Sequence, residues 1–226
     1  MNTINTENRH VQILSTGVRL EGIVSIPDDP KGIVLFVHGS GSSRHSSRNQ
    51  FVAEVLQEAG FTTLLFDLLT EEEEQIDQRT RHLRFDIDLL ARRTAGVLEW
   101  LKLQPFAYEL KTGLFGASTG AAAALMAAAE LPENVDAVVS RGGRPDLAGE
   151  ALSKVDIPTL LIVGAYDDVV IVLNEEALEQ MPSGAQKKLM IVPGATHLFE
   201  EPGTLEYAAH LARDWFEAHL DRVSVS

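Results

Sequence analysis

The chain has 226 residues, 45% hydrophobic and 23% charged, with no cysteine and a formal net charge of −14. This length suits a single domain over 1–226 with a full core, and the missing cysteine removes disulfides, thiolate metal sites and a cysteine nucleophile. The acidic balance argues against a nucleic-acid partner, because phosphate contacts need clustered Lys and Arg. No apolar run approaches membrane-spanning length, so no membrane partner is expected. The polar start MNTINTENRH lacks the apolar stretch of a secretory signal, and a cytoplasmic location is the expectation.

Residues 10–26 read as two short strands around a turn at Ser15-Thr16-Gly17, and GIVLFVHG (32–39) as a buried strand ending in glycine. A helix over 48–60, closed by Gly60, leads to the strand FTTLLFDLL (61–69). TEEEEQ (70–75) has Thr70 and Glu73 at capping-box spacing, with acids in a first helical turn. The loop at 68–82 is expected to form one wall of a pocket. A helix near 83–104 carries Ile87, Leu90, Ala91, Thr94, Val97, Leu98 and Leu101 on one face. There follow a strand at 111–115, a helix at 119–131 and strands at 135–140 and 157–163. A helix at 172–181, a strand at 187–192 and a last helix near 203–220 complete the chain. Strands alternating with helices predict an α/β fold with a mostly parallel sheet, and in such sheets ligands bind beyond the carboxyl ends of the strands.

One of those strand ends is GLFGASTGAA (113–122). Gly116-Ala117-Ser118-Thr119-Gly120 sits at a strand-to-helix junction, where a sharp turn with small flanking residues would expose the Ser118 hydroxyl as a nucleophile. The plainer reading is a helix N-terminus capped by Ser118 or Thr119. A serine hydroxyl needs a base. Of the seven histidines, His197 lies in MIVPGATHLFEEPG, after the last strand, on the same edge of the sheet. The base in turn needs a carboxylate, and LLIVGAYDDVV (160–170) offers Asp167 and Asp168, one of which could instead cap the following helix. The order serine, aspartate, histidine is that of the α/β-hydrolase arrangement. Oxyanion donors are expected from the backbone N–H of Thr119 and from that of Ser40 in LFVHGSGSS, with Gly41 as second choice. His38 is expected to hold that loop. Arg141 and Arg144 in SRGGRPDL are candidates for gripping a substrate carboxylate, with a salt bridge to Asp146 as the alternative. Arg44, His45 and Arg48 carry a weaker form of the same possibility. No histidine pair has metal-ligand spacing, so neither metal nor cofactor is expected.

Together, HGSGSSRHS, FDLL, GASTG, GAYDDVV and PGATHLF resemble the α/β-hydrolase superfamily, and within it the small dienelactone-hydrolase-like group. HGSGSSRHS with LLFDLLTEEEE is similar to the hydrolase module sometimes fused to a phosphoribosyltransferase. The resemblance implies an eight-stranded, mostly parallel sheet and a Ser118–His197–Asp167 triad, since the family's acid follows Gly-x-x-Asp. Serine here replaces the cysteine nucleophile of true dienelactone hydrolases. Residues 141–156 are too few for the lid of larger relatives, which predicts an open pocket for small-molecule esters or lactones. Acyl transfer or perhydrolysis with the same residues, and ligand binding without catalysis, are the alternative functions. Oligomeric state is not legible from the sequence.

Overall fold

A computed structural model describes residues 5–220. Eight strands form one sheet in the order β1-β2-β4-β3-β5-β6-β7-β8. β1 (Thr6–Ser15) and β2 (Val18–Pro27) make a hairpin that joins the sheet antiparallel, through β2 against β4 (Thr62–Phe66). The other neighbours are parallel: β3 (Ile33–Val37) with β4 and β5 (Thr112–Ala117), then β6 (Ala137–Arg141), β7 (Thr159–Gly164) and β8 (Lys187–Val192). The expected α/β architecture is therefore the observed one.

The central strands are apolar at successive residues because both faces are covered. Val34 and Phe36 of β3 pack toward α1 (Ser47–Glu58) and α6 (Thr204–Leu220), in a core with Val52, Leu56, Ala209 and Phe216. Ile33, Leu35 and Val37 face the other way, toward α3 (Ile87–Lys102) and α4 (Thr119–Glu130). α4 shows why its sequence is alanine-rich. Ala121 to Ala124, Ala127 and Ala128 are fully buried, so the helix can lie close against the sheet behind the 116–120 turn.

Several boundaries move. Residues 83–85 form a separate 3₁₀ turn, and α3 begins at Ile87 because the Asp86 carboxylate accepts the Leu89 N–H at 3.0 Å. α5 (Asp168–Gln180) starts four residues earlier than the periodicity predicts, and residues 145–154 are 3₁₀ turns rather than open loop. Most of the expected loop at 68–82 is helix α2 (Glu71–Thr80), entered through the capping box: Glu73 N–H to Thr70 Oγ1 at 3.3 Å and Thr70 N–H to Glu73 Oε2 at 2.9 Å.

Glu73 has a second task that its spacing does not reveal. Both of its oxygens accept from Arg93 of α3, at 2.6 and 2.7 Å, and Arg93 is buried and also donates to the Leu68 carbonyl at 2.6 Å. Burial works to raise the Glu73 carboxyl, but the hydrogen bonds from Arg93 and Thr70 hold it below its ordinary value. Arg93 is buried while Glu73 is part-exposed, so losing the carboxylate's charge costs about 1.5–3 kcal/mol, the scale of a charged hydrogen bond. Glu73→Gln, which keeps a cap acceptor, is expected to lose about 2 kcal/mol in urea unfolding at neutral pH. A folded-state value below the unfolded one means the contribution is complete above the ordinary carboxylate range. It is lost as pH falls through the lowered native value, so the gap between wild type and Glu73→Gln should close in acid. A pH-independent gap would assign the loss to packing alone.

Candidate active site

The turn after β5 is as tight as its residues require. A Cβ on Gly116 would fall 2.5 Å from the Ala121 Cα, and one on Gly120 would fall 2.2 Å from the Val37 carbonyl oxygen and 2.4 Å from that of His38. Only glycine lets the elbow seat against both its own helix and the end of β3. Between them Ser118 takes φ 50° and ψ −124°, a conformation that side-chain-bearing residues adopt rarely and that concentrates at functional sites. Its side chain makes no capping bond to the helix, so the capping reading does not account for it.

Ser118 Oγ lies 3.5 Å from His197 Nε2, and His197 Nδ1 lies 2.6 Å from Asp167 Oδ2. The first distance is at the outer limit of a hydrogen bond, as is common before substrate tightens a site. The second is short and charge-assisted, and it fixes the proton on Nδ1 so that Nε2 faces the serine as acceptor. Asp167 occupies the N-cap position of α5 yet makes no capping bond, because its carboxylate is turned to the imidazole. Asp168 is exposed in the first turn of the helix. The His197 loop is held in turn by Glu201, whose carboxylate accepts the Thr196 N–H at 3.0 Å and the Thr196 hydroxyl at 2.7 Å. Glu201 is not legible from the sequence. Its signal, a carboxylate five residues after a threonine, is too general to find it.

The loop after β3 is clasped from behind. His38 Nε2 accepts the Leu68 N–H at 3.0 Å, while its Nδ1 donates to the Gly39 carbonyl at 2.9 Å. Burial lowers the His38 pKa, so the ring is neutral and structural. Arg44 is taken by Asp67, which pairs with its guanidinium and accepts its N–H at 2.7 Å. Thr119 starts α4, and its N–H has no partner within the helix. Ser40 departs from expectation. Its N–H is adjacent to the elbow but donates to Thr119 Oγ1 at 2.9 Å, because a hydroxyl 79 residues away competes for it.

The two candidate carboxylate-binding arginines separate. Arg144 is not open: Asp146 takes its fork in bidentate fashion at 2.7 and 2.8 Å. Arg141 lies at the end of β6, and its backbone carbonyl accepts the Ser118 N–H at 3.3 Å. Its side chain is buried, with the guanidinium 5.8 Å from the Phe199 ring centre and a long 3.4 Å bond to Asn49 Oδ1. Its Nε finds no hydrogen-bond partner among the described residues. Burial, and then repulsion from Arg48, push its pKa down to about 10, which leaves it charged at neutral pH. Arg48 itself reaches Glu200 at 3.6 Å.

An open polar cleft of about 1180 Å³ runs between the 40–48 loop, the start of α2 and the start of β2. It touches Ser40 and His38 but neither Ser118 nor His197, and Val18 and Leu69 are its only apolar side chains. Ser118 sits beside this cleft rather than inside it. Among the described residues no cluster of His, Asp and Glu is arranged to hold a metal ion, and no helix is long and apolar enough to cross a membrane.

Residues 20–223 match the model of the dienelactone hydrolase family. A solved dienelactone hydrolase from Anabaena variabilis superposes with a TM-score of 0.93 at 60% identity, over 95% of this chain and 99% of that one. The fold also matches Est1E from Butyrivibrio proteoclasticus, with a TM-score of 0.76 at 16% identity over 92% of this chain and 98% of that one. In Mycobacterium tuberculosis, a protein named "Putative phosphoribosyl transferase" is 59% identical over 213 residues. That alignment covers 94% of this chain but 47% of the relative, so the chain spans about half the length of that curated protein.

Proposed function

The chain belongs to the dienelactone hydrolase family, and within that family we propose that it is a serine hydrolase cleaving small esters or lactones through an acyl-enzyme. The observation that carries the reading is the hydrogen-bonded line from Ser118 through His197 to Asp167, assembled from three separate strand ends. Ser118 Oγ attacks the carbonyl carbon as His197 Nε2 takes its proton. Asp167 keeps the imidazole in the right tautomer and stabilises the imidazolium. The Thr119 N–H, with Ser40 as its partner donor, stabilises the oxyanion. As the tetrahedral adduct collapses, His197 returns the proton to the departing alcohol. Water, deprotonated by the same nitrogen, then releases the acid. The scheme needs no metal or cofactor.

The surroundings support small, polar substrates. An acyl chain gains affinity only where apolar walls replace water, and the cleft that reaches Ser40, though not Ser118 itself, carries two apolar side chains, so that side of the site offers no apolar tunnel for a long acyl group. Across p-nitrophenyl esters from acetate to palmitate, kcat/KM is expected to stay flat or fall as the chain lengthens. A fitted apolar pocket would instead give a rise of about tenfold or more per methylene. A fluorophosphonate probe is expected to label Ser118 and no other residue. A steep rise with acyl length would remove the open-site argument, and absence of labelling together with absence of turnover would overturn the hydrolase reading.

A further inference from the structure

The bond between the Ser40 N–H and Thr119 Oγ1 has a consequence for catalysis. Ser40 lies on the loop after β3, and Thr119 is the residue after the nucleophile. Thr119 is buried, so its hydroxyl is fixed by the elbow rather than by solvent. Elsewhere this loop is tied away from the nucleophile: His38 binds Leu68, and the Arg44 backbone binds Asp67. Within the loop, Ser42 N–H closes a turn onto the Gly39 carbonyl at 3.2 Å. The Thr119 hydroxyl is thus the side-chain tie between the oxyanion loop and the strand–helix turn that carries Ser118.

We propose that Thr119 is a positioning residue, whose hydroxyl holds the Ser40 amide against the elbow in the resting site and gives it up to the oxyanion when the tetrahedral adduct forms. The proposal rests on the serine-hydrolase reading above. Its physical basis is an exchange of acceptors. The amide N–H is a single donor. In the resting site it is satisfied by a neutral hydroxyl, which prevents it from being buried unpaired or from turning with the loop toward solvent. A full negative charge on the substrate oxygen is the stronger acceptor. The amide therefore transfers to it over a small movement, while the Thr119 N–H, one residue from the nucleophile, is the donor that is open from the start. Donors already in place cost no reorganisation at the moment of reaction, and a misplaced one loses most of its effect.

Thr119→Val keeps the shape and the backbone N–H but removes the acceptor. Loss of one oxyanion donor costs roughly 10²–10³ in kcat, and a donor that is loosened rather than removed should forfeit about tenfold of that. The expected result with p-nitrophenyl acetate is a kcat about tenfold lower with KM little changed, because the hole is used in the transition state and not in the ground state. Thr119→Ser, which restores the hydroxyl, should recover most of the loss. A trifluoromethyl ketone, whose adduct with Ser118 carries the oxyanion, should bind Thr119→Val more weakly by the same factor as kcat/KM, while both variants remain cooperatively folded at the assay temperature and Thr119→Ser unfolds near wild type. A valine variant with wild-type or higher kcat, or one whose loss appears in KM alone, overturns the proposal. So does a serine variant as poor as the valine one. If wild type does not turn over the ester at all, the hydrolase reading fails first, and inhibitor binding to wild type keeps the two failures apart.

Discussion

Ser118→Ala is expected to lower kcat for p-nitrophenyl acetate about 10⁶-fold, the scale on which removal of the nucleophile acts in a serine triad. The loss should be that large because the residues act as a unit. Without the Oγ, His197 has no proton to accept and the acyl-enzyme cannot form, leaving only orientation and whatever field the Thr119 N–H supplies to attack by water. Removing His197 should cost a similar factor, and the double variant should be little worse than either single one, since each breaks the same step. Steady-state turnover measured above the buffer rate, with probe labelling of each variant, checks all three. Turnover by Ser118→Ala comparable with wild type would place the chemistry at other residues.

The second large effect concerns the acid. Asp167→Asn should lower kcat about 10³–10⁴-fold, because an amide can present its own N–H to the imidazole and so stabilise the wrong tautomer. Asp168→Asn should stay close to wild type, since that side chain stands exposed on the first turn of α5 and does not approach the imidazole. The pair is a sharp test because the two changes are chemically identical and adjacent in sequence. The reverse ranking would move the acid role to Asp168.

The elements that the sequence analysis placed best are those whose pattern has one physical cause. The strands at 32–39, 61–69 and 111–115 carry consecutive apolar residues such as Ile33 to Val37, Leu64 to Phe66 and Leu114-Phe115, because helices cover both sheet faces. The helix starts were harder. Leu83 continues the apolar spacing of α3 across Asp86, so periodicity alone carries the helix too far back, although the structure breaks it at the Asp86 cap. At α5 the error runs the other way. Asp167 and Asp168 read as loop because their chemistry suggested a site, yet the helix begins there, with Asp167 at the N-cap position but its carboxylate turned to His197. What the sequence could not reveal is competition between partners far apart in the chain. Ser40 was a reasonable oxyanion donor on position, and only the fold shows a hydroxyl already taking its N–H. Arg144 and Arg141 looked alike in SRGGRPDL. One is neutralised two residues away, and the other is buried beneath Phe199 and Asn49, which no local pattern encodes.

The three residues of the relay stand after β5, β7 and β8, strands that are not all neighbours in the sheet. As the chain leaves the ribosome, its serine appears first, its aspartate some fifty residues later and its histidine later still. The bonds that join them exist only once the last parallel strand has docked on β7 and α6 has closed over that edge. On the serine-hydrolase reading, a chain that has not yet completed the β7–β8 edge carries a serine without its base. On that reading, activity regained during refolding reports the meeting of all three strand ends, and the sheet pairing of greatest chain separation it requires is β3 with β5, Ile33 beside Thr112, rather than the more local β7–β8 pair.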